Sequence, residues 1–275
     1  MPLRPVVPEL PEVETTLRGL WPHLQDRRIQ RVILRRPDLR WPIPDDIAVL
    51  RDIPILGLSR RAKYLLMDLP HGTAIWHLGM TGNMRVIPTD IPAIAHDHVD
   101  FILDNDTLLR FHDPRRFGAL LWQSEGTTHP VLSHLGPEPL DAEFSADYLF
   151  EKSRGRSIAI KPFLMTQTVV VGVGNIYANE ALFAAGIHPA RAAGRISRER
   201  YQALVDHIRQ ILLRAIDVGG TTLRDFISPD GFSGYFVQQL QVYGRAGEPC
   251  VRCGSTLKSS MLGQRQTVWC GGCQR

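Results

Sequence analysis

The sequence predicts an α+β fold class, and three observations predict it. Between Ile29 and about Leu121, short apolar runs are broken by turn signals, the pattern of an N-terminal β-sandwich. Beyond a Pro/Gly-rich stretch at residues 134–139 the apolar spacing becomes helical, which reads as a second, helical domain. The chain closes on its only cysteines, Cys250, Cys253, Cys270 and Cys273, in two Cys-x-x-Cys pairs that read as a C-terminal four-cysteine zinc finger.

The 275 residues are 44% hydrophobic and 22% charged, enough to bury two cores with a small appendage and too apolar for a disordered chain. No window approaches the roughly 18 apolar residues of a membrane span, and the start lacks the order of a secretory signal. A soluble cytoplasmic protein is expected. A net charge of +4 and a pI near 9.0 suit a polyanionic partner without requiring one. Its placement says more: Arg27, Arg28, Arg31, Arg35, Arg36 and Arg40 form one cluster, Arg60, Arg61 and Lys63 a second, Arg115 and Arg116 a third. Separate short clusters fit a positively charged groove better than a uniformly solubilised surface.

Taken in order, Glu12 to Leu24 has apolar residues at helical spacing and acidic residues in its first turn, with Pro22 as a candidate early stop. RVILRR, YLLMDLPHG, TAIWHLG, NMRVIP, VDFILDNDTLLRF and GALLWQ read as strands, with turns at Pro70-His71-Gly72 and Asp104-Asn105-Asp106. Helices are expected at about 145–154, 160–165, 177–186, 198–218 and 221–227, the fourth ended by Gly219-Gly220. The domains are therefore placed at 1–135, 136–236 and 237–275.

Sixteen residues separate the two cysteine pairs. Two such knuckles suit one tetrahedral zinc held by four thiolates, a closed structural site. Two disulfides or a redox pair are the competing readings, weakened by the absence of a thioredoxin-like βαβ context. Lys258, Gln264, Arg265 and Gln266 lie between the knuckles on an expected hairpin, which either reaches a nucleic acid or is simply solvated.

Pro8-Glu9-Leu10-Pro11-Glu12-Val13-Glu14-Thr15 is by composition an acidic, proline-punctuated helix start. It coincides, however, with Arg60-Arg61-Ala62-Lys63-Tyr64-Leu65, His77-Leu78-Gly79-Met80-Thr81-Gly82, His96-Asp97-His98-Val99-Asp100, Asp113-Pro114-Arg115-Arg116-Phe117-Gly118, Gly172 to Glu180 and the four cysteines. In that order and spacing the segments closely resemble the bacterial formamidopyrimidine-DNA glycosylases, from Pro8 to the last residue. Leu10 and Val13 favour this family over endonuclease VIII.

The resemblance implies a β-sandwich, a helical domain containing a helix-two-turn-helix and a zinc finger, with DNA in the cleft between domains. It implies a monomer acting on double-stranded DNA that contains oxidised bases, excising 8-oxoguanine and formamidopyrimidines, then nicking the abasic site by β,δ-elimination. Pro8 matches the family's nucleophile and Glu9 its general acid/base. Lys63 matches a proton donor in β-elimination, and Arg265 a phosphate-gripping arginine associated with δ-elimination. His96, Arg115 and Arg156 match DNA-binding positions, although the family often has lysine where Arg156 stands. Met80, Arg115 and Phe117 match the trio that fills the gap left by an extruded nucleotide; taken singly, Met80 and Phe117 could equally be core. Asn175, before a helix, matches a phosphate contact. Glu180 is expected to flank the nucleophile, and the loop from Thr221 to Tyr235 to cover the extruded base.

One feature of the sequence opposes this chemistry. Pro8 follows Met1-Pro2-Leu3-Arg4-Pro5-Val6-Val7, so its nitrogen is an amide as written, and an amide lone pair is delocalised and does not attack carbon. Val7 stands where the family has its initiator Met, which suggests a start at residue 7 from a GTG codon. A catalytically dead damage binder is the alternative that this extension supports.

Overall fold

The computed structural model describes residues 8–219 and 240–275. These divide into two compact units, one of residues 8–133 with 216–219, the other of residues 134–215 with 240–275.

The first unit opens with helix α1, Leu10–Leu24. Leu10, Val13, Leu20 and Leu24 are fully buried, which is the apolar stripe that the spacing predicts. The helix does not stop at Pro22. Its last turn is retained because Leu24 is packed in the core and the Gln25 N–H closes on the Trp21 carbonyl at 2.9 Å, offsetting the bond that proline cannot make.

Strand β1 (Arg28–Leu34) precedes a short helix α2 (Asp45–Ala48), then β2 (Ile53–Pro54), β3 (Gly57–Arg61), β4 (Tyr64–Leu69), β5 (Gly72–His77), β6 (Asn83–Pro88), β7 (Asp97–Leu103), β8 (Thr107–His112) and β9 (Ala119–Ser124), followed by helix α3 (Pro130–Ser133). The strands pair antiparallel into two sheets, ordered β2-β1-β7-β8-β6 and β3-β4-β5-β9. Both predicted turns are present, Pro70-His71 joining β4 to β5 and residues 104–106 joining β7 to β8. Alternating burial along β4 marks one covered face, and Trp76 of one sheet packs against Phe101 and Phe111 of the other at 5.3 and 5.4 Å. Each tilted aromatic pair adds about 0.5–1.5 kcal/mol beyond its area burial.

Strand β7 is buried along its whole length and nevertheless carries Asp97, His98 and Asp100. Their charges are satisfied in place. Arg110 takes both Asp100 oxygens at 2.9 and 2.8 Å, Arg35 adds a 2.5 Å bond, and Asp97 accepts from Arg85 at 3.2 Å and faces His112 at 2.8 Å. Unpaired, each such carboxylate would cost several kcal/mol to bury.

The second unit contains α4 (Ala146–Ser153), capped by the Ser145 hydroxyl accepting from the Tyr148 N–H at 3.1 Å, then α5 (Ile160–Leu164), α6 (Asn175–Ala184) and most of α7 (Arg198–Gly219). Helix α6 begins at Asn175, earlier than the apolar spacing suggests, because Gly174 takes the extended cap position. The expected helix at 221–227 lies outside the described residues. Strands β10 (Lys258–Leu262) and β11 (Arg265–Trp269) form an antiparallel hairpin over a small core of Phe183, Val242, Leu257, Val268, Cys250 and Cys270. The hairpin is bolted to the helices: Lys161 Nζ donates to the Gln266 carbonyl and Thr267 Oγ1 at 3.0 and 2.7 Å, and the Val268 N–H donates to Asn179 Oδ1 at 2.9 Å.

Candidate active site

Pro8 and Glu9 stand at the head of α1, both buried, Glu9 only 2% exposed. Glu9 occupies the cap position, where its N–H donates to Glu12 Oε2 at 2.8 Å, a reciprocal cap that fixes the direction of the chain entering from Pro8. Glu14, one turn along, accepts from Arg60 at 2.9 Å, which ties α1 to the β3–β4 hairpin. That hairpin turns through two residues, Ala62 in the left-handed region at φ +54° and then Lys63. Lys63 is thus presented at a hairpin tip and is not held within a strand.

On the same unit, His77 ends β5. Its ring packs tilted at 55° against Tyr64, centroids 5.0 Å apart, and its Nδ1 accepts the Gly79 N–H at 2.9 Å. Burial, with the charges of Lys63 and Arg40 adding to it, pushes its pKa down to about 4, so the ring is neutral at working pH. Met80 follows, half-buried, while His96 and Arg115 are exposed. Phe117 is 44% exposed and lies 4.9 Å beneath the Arg115 guanidinium, so it is a surface group and not part of the core. His96 sits at φ +74° beside an irregularity between Asp97 and Val99 in the β7–β8 pairing, and its ring stands edge-on to His98 and His112 at 6.4 and 6.0 Å.

In the second unit Arg156 is exposed on the turn after α4, where Gly155 adopts φ +70°. Asn175 is the first residue of α6, and its Oδ1 is buried without a partner among the described residues. Arg265 is exposed next to a two-residue turn, Gly263 and Gln264, both left-handed at φ +56° and +61°. Glu180 is an anchor: its carboxylate accepts the N–H groups of Gln241, Val242 and Tyr243 at 2.9, 3.0 and 2.8 Å, which leaves it fully engaged in holding this segment. The Thr221–Tyr235 loop lies outside the described residues.

The four cysteine sulfurs lie within 4.8 Å of one another, with Cys250–Cys273 at 3.9 Å and Cys253–Cys270 at 3.4 Å. Thiolates at about 2.3 Å from a tetrahedral zinc stand roughly 3.8 Å apart, and a disulfide needs about 2.05 Å, so the donor set fits zinc and not paired cystines. The Arg252 N–H aimed at Cys250 Sγ at 3.4 Å and Gly254 at φ +74° complete one knuckle.

Sequence reasoning left several supporting residues unassigned. Asp97, Asp100 and Arg110 are charges inside apolar strands, a legible signal of a buried network. Lys161, Asp113 and Thr81 carry no comparable signal, because their partners are distant in the sequence.

Residues 7–120 match the N-terminal domain model of formamidopyrimidine-DNA glycosylase, 135–227 its helix-two-turn-helix domain model, and 247–275 the zinc finger found in this family and in isoleucyl-tRNA synthetases. A formamidopyrimidine-DNA glycosylase of Stenotrophomonas maltophilia strain K279a is 64% identical over 98% of this chain and 100% of its own length, and one of Alcanivorax borkumensis is 57% identical with the same coverage. The Lactococcus lactis enzyme in complex with abasic-site DNA superposes with a TM-score of 0.87 at 34% identity, covering 98% of this chain and 100% of that one. The Thermus thermophilus protein superposes at 0.84 and 38%, covering 97% and 98%.

Proposed function

The chain belongs to the formamidopyrimidine-DNA glycosylase family, a zinc-finger DNA-repair glycosylase, and from that premise we propose that it excises oxidised purines through a Schiff base on Pro8. The observation that carries this reading is the head of α1. Pro8 and the buried Glu9 are adjacent there, and the Glu14–Arg60 bridge fastens the Lys63 hairpin to the same helix.

The Pro8 nitrogen, once free of Val7, attacks C1′ of the damaged nucleotide. The bond from C1′ to the base breaks with its electron pair, the base gains a proton, and the sugar ring opens as C1′ becomes an iminium. Glu9 gives and takes the protons of the ring oxygen and nitrogen. Loss of a C2′ proton then expels the 3′ phosphate, and a second elimination expels the 5′ phosphate. Lys63 serves the first elimination, and Arg265 holds phosphate for the second. His96, Arg115, Arg156 and Asn175 bind the DNA backbone, while Met80, Arg115 and Phe117 occupy the space of the extruded nucleotide. Cys250, Cys253, Cys270 and Cys273 would hold a structural zinc, which would fix the hairpin that bears Arg265. The acting species is a monomer.

Excision kinetics on otherwise identical duplexes test the substrate. 8-Oxoguanine and formamidopyrimidine should be released at least about tenfold faster than thymine glycol, a difference of roughly 1.4 kcal/mol in transition-state binding. Equal or reversed rates would reassign the pocket to oxidised pyrimidines.

A further inference from the structure

The assignment of Met80, Arg115 and Phe117 to the vacated space brings in two separate loops, residues 78–82 and 113–118. Beneath both lies Asp113, which is 0% exposed. Its Oδ1 accepts the Thr81 hydroxyl at 2.6 Å and its Oδ2 the Gly118 N–H at 2.7 Å. Its backbone N–H donates to the His96 carbonyl at 3.0 Å, and its carbonyl meets His98 Nε2 at 2.9 Å. The Thr81 hydroxyl also accepts the Arg115 N–H at 3.3 Å. Among the described residues, one buried residue is thus bonded to every loop of this unit that carries a DNA-contact candidate other than the Lys63 hairpin.

The loops also meet backbone to backbone. A Cβ on Gly79, which is left-handed at φ +66°, would stand 2.4 Å from the Gly118 nitrogen and from the Phe117 carbonyl carbon, and a Cβ on Gly118 would stand 2.6 Å from the Phe111 ring. The two loops are therefore in direct backbone contact at Gly79 and Gly118. A buried carboxylate is costly, and on Asp113 the cost is offset by one donor from each loop, the Gly118 N–H and the Thr81 hydroxyl, the latter 32 residues away in the sequence.

We infer that Asp113 is a positioning residue for base extrusion: through Thr81 and Gly118 its carboxylate locks the Met80 loop to the Arg115–Phe117 turn, so that both enter the duplex as one rigid wedge. The inference rests on the wedge reading given above.

Thr81→Val removes the hydroxyl while keeping the shape, Thr81→Ser keeps the hydroxyl, and Asp113→Asn turns an amide donor toward donors. The quantity to measure, on the protein beginning at Pro8, is single-turnover excision of 8-oxoguanine from duplex DNA, divided by borohydride trapping on a single-stranded abasic oligonucleotide, where no base leaves a stack. Thr81→Val should lower this ratio about tenfold, and Thr81→Ser should stay within about threefold of the parent. The double variant Thr81→Val/Asp113→Asn should fall no further than Asp113→Asn, because the two groups act through one bond. An unchanged ratio in Thr81→Val, or equal losses in Thr81→Val and Thr81→Ser, overturns the inference. If Asp113→Asn does not fold, the Thr81 pair still decides. Met80→Ala separates the two levels. A lowered ratio there beside an unchanged one in Thr81→Val removes only the role of Asp113; an unchanged ratio in Met80→Ala removes the wedge reading and the inference with it.

Discussion

His77 is kept neutral by its surroundings, and this has a consequence for stability. Burial, then the charges of Lys63 and Arg40, lower its pKa from 6.5 to about 4. Between those values the unfolded chain binds the proton and the folded chain does not, so stability rises with pH across the window and is lost as pH falls through it. Urea unfolding from pH 6.5 to 4 should lose on the order of 2–3 kcal/mol from this group. His77→Asn should flatten the slope, since an amide oxygen can accept the Gly79 N–H without titrating; an unaltered slope would contradict the assignment. Asp100 acts in a lower window. Burial opposes its ionisation, yet Arg110 and Arg35 outweigh burial and hold its carboxyl below 3.8, so its contribution is present above that value and lost as pH falls below it. Arg110→Met should cost up to about 3–5 kcal/mol by leaving that charge to Arg35 alone, and a cost under about 1 kcal/mol would show the pair to be dispensable. At this scale the sequence is legible where a residue type is itself chemistry, as with the cysteines, or where a charge falls inside an apolar strand. It is not legible where the role depends on a distant partner, as for Asp113 with Thr81 or Glu180 with residues 241–243.

Among elements, the strands with clean period-two patterns or continuous apolar runs are readable, and β2 and β3 are not. Ile53–Pro54 is too short to show a period, and Gly57-Leu58-Ser59-Arg60-Arg61 has no apolar alternation; pairing with β1 and β4 makes these segments strands. Short helices α2 and α3 escape for the same reason, since one turn carries no stripe. The β10–β11 hairpin combines a legible part, the knuckles, with an illegible one, its attachment through Lys161 and Asn179. Lys161→Met leaves the Gln266 carbonyl and Thr267 hydroxyl without their buried donor, an expected loss of about 1–3 kcal/mol. It should appear as faster zinc loss to a chelator and weaker DNA binding with the sandwich melting unchanged; zinc release at the parent rate would show the bond to be idle. Cys250→Ser, or zinc removal, should unfold the finger, whose small core leans on the cysteines themselves, and leave the sandwich folded. Unchanged DNA affinity in Cys250→Ser would remove the finger from the DNA grip.

For the molecule as a whole, the described residues divide into a sandwich unit, which also takes residues 216–219, and a unit that joins the other helical residues to the finger. The charge balance is less informative than its placement: Arg35, Arg60, Arg85 and Arg110 are spent on internal carboxylates, whereas Arg115, Arg156 and Arg265 remain exposed. The described helices include none long and apolar enough to cross a membrane. The proposed chemistry depends on one atom, the Pro8 nitrogen, which is acylated by Val7 in the chain as written. The decisive measurement is borohydride trapping on 8-oxoguanine duplex, with the DNA-bearing residue identified by peptide mass spectrometry, for the protein beginning at Pro8 and for the protein retaining residues 1–7. An adduct on Pro8 is expected in the first and none in the second; equal trapping in both, or an adduct on Lys63, would contradict a Pro8 nucleophile.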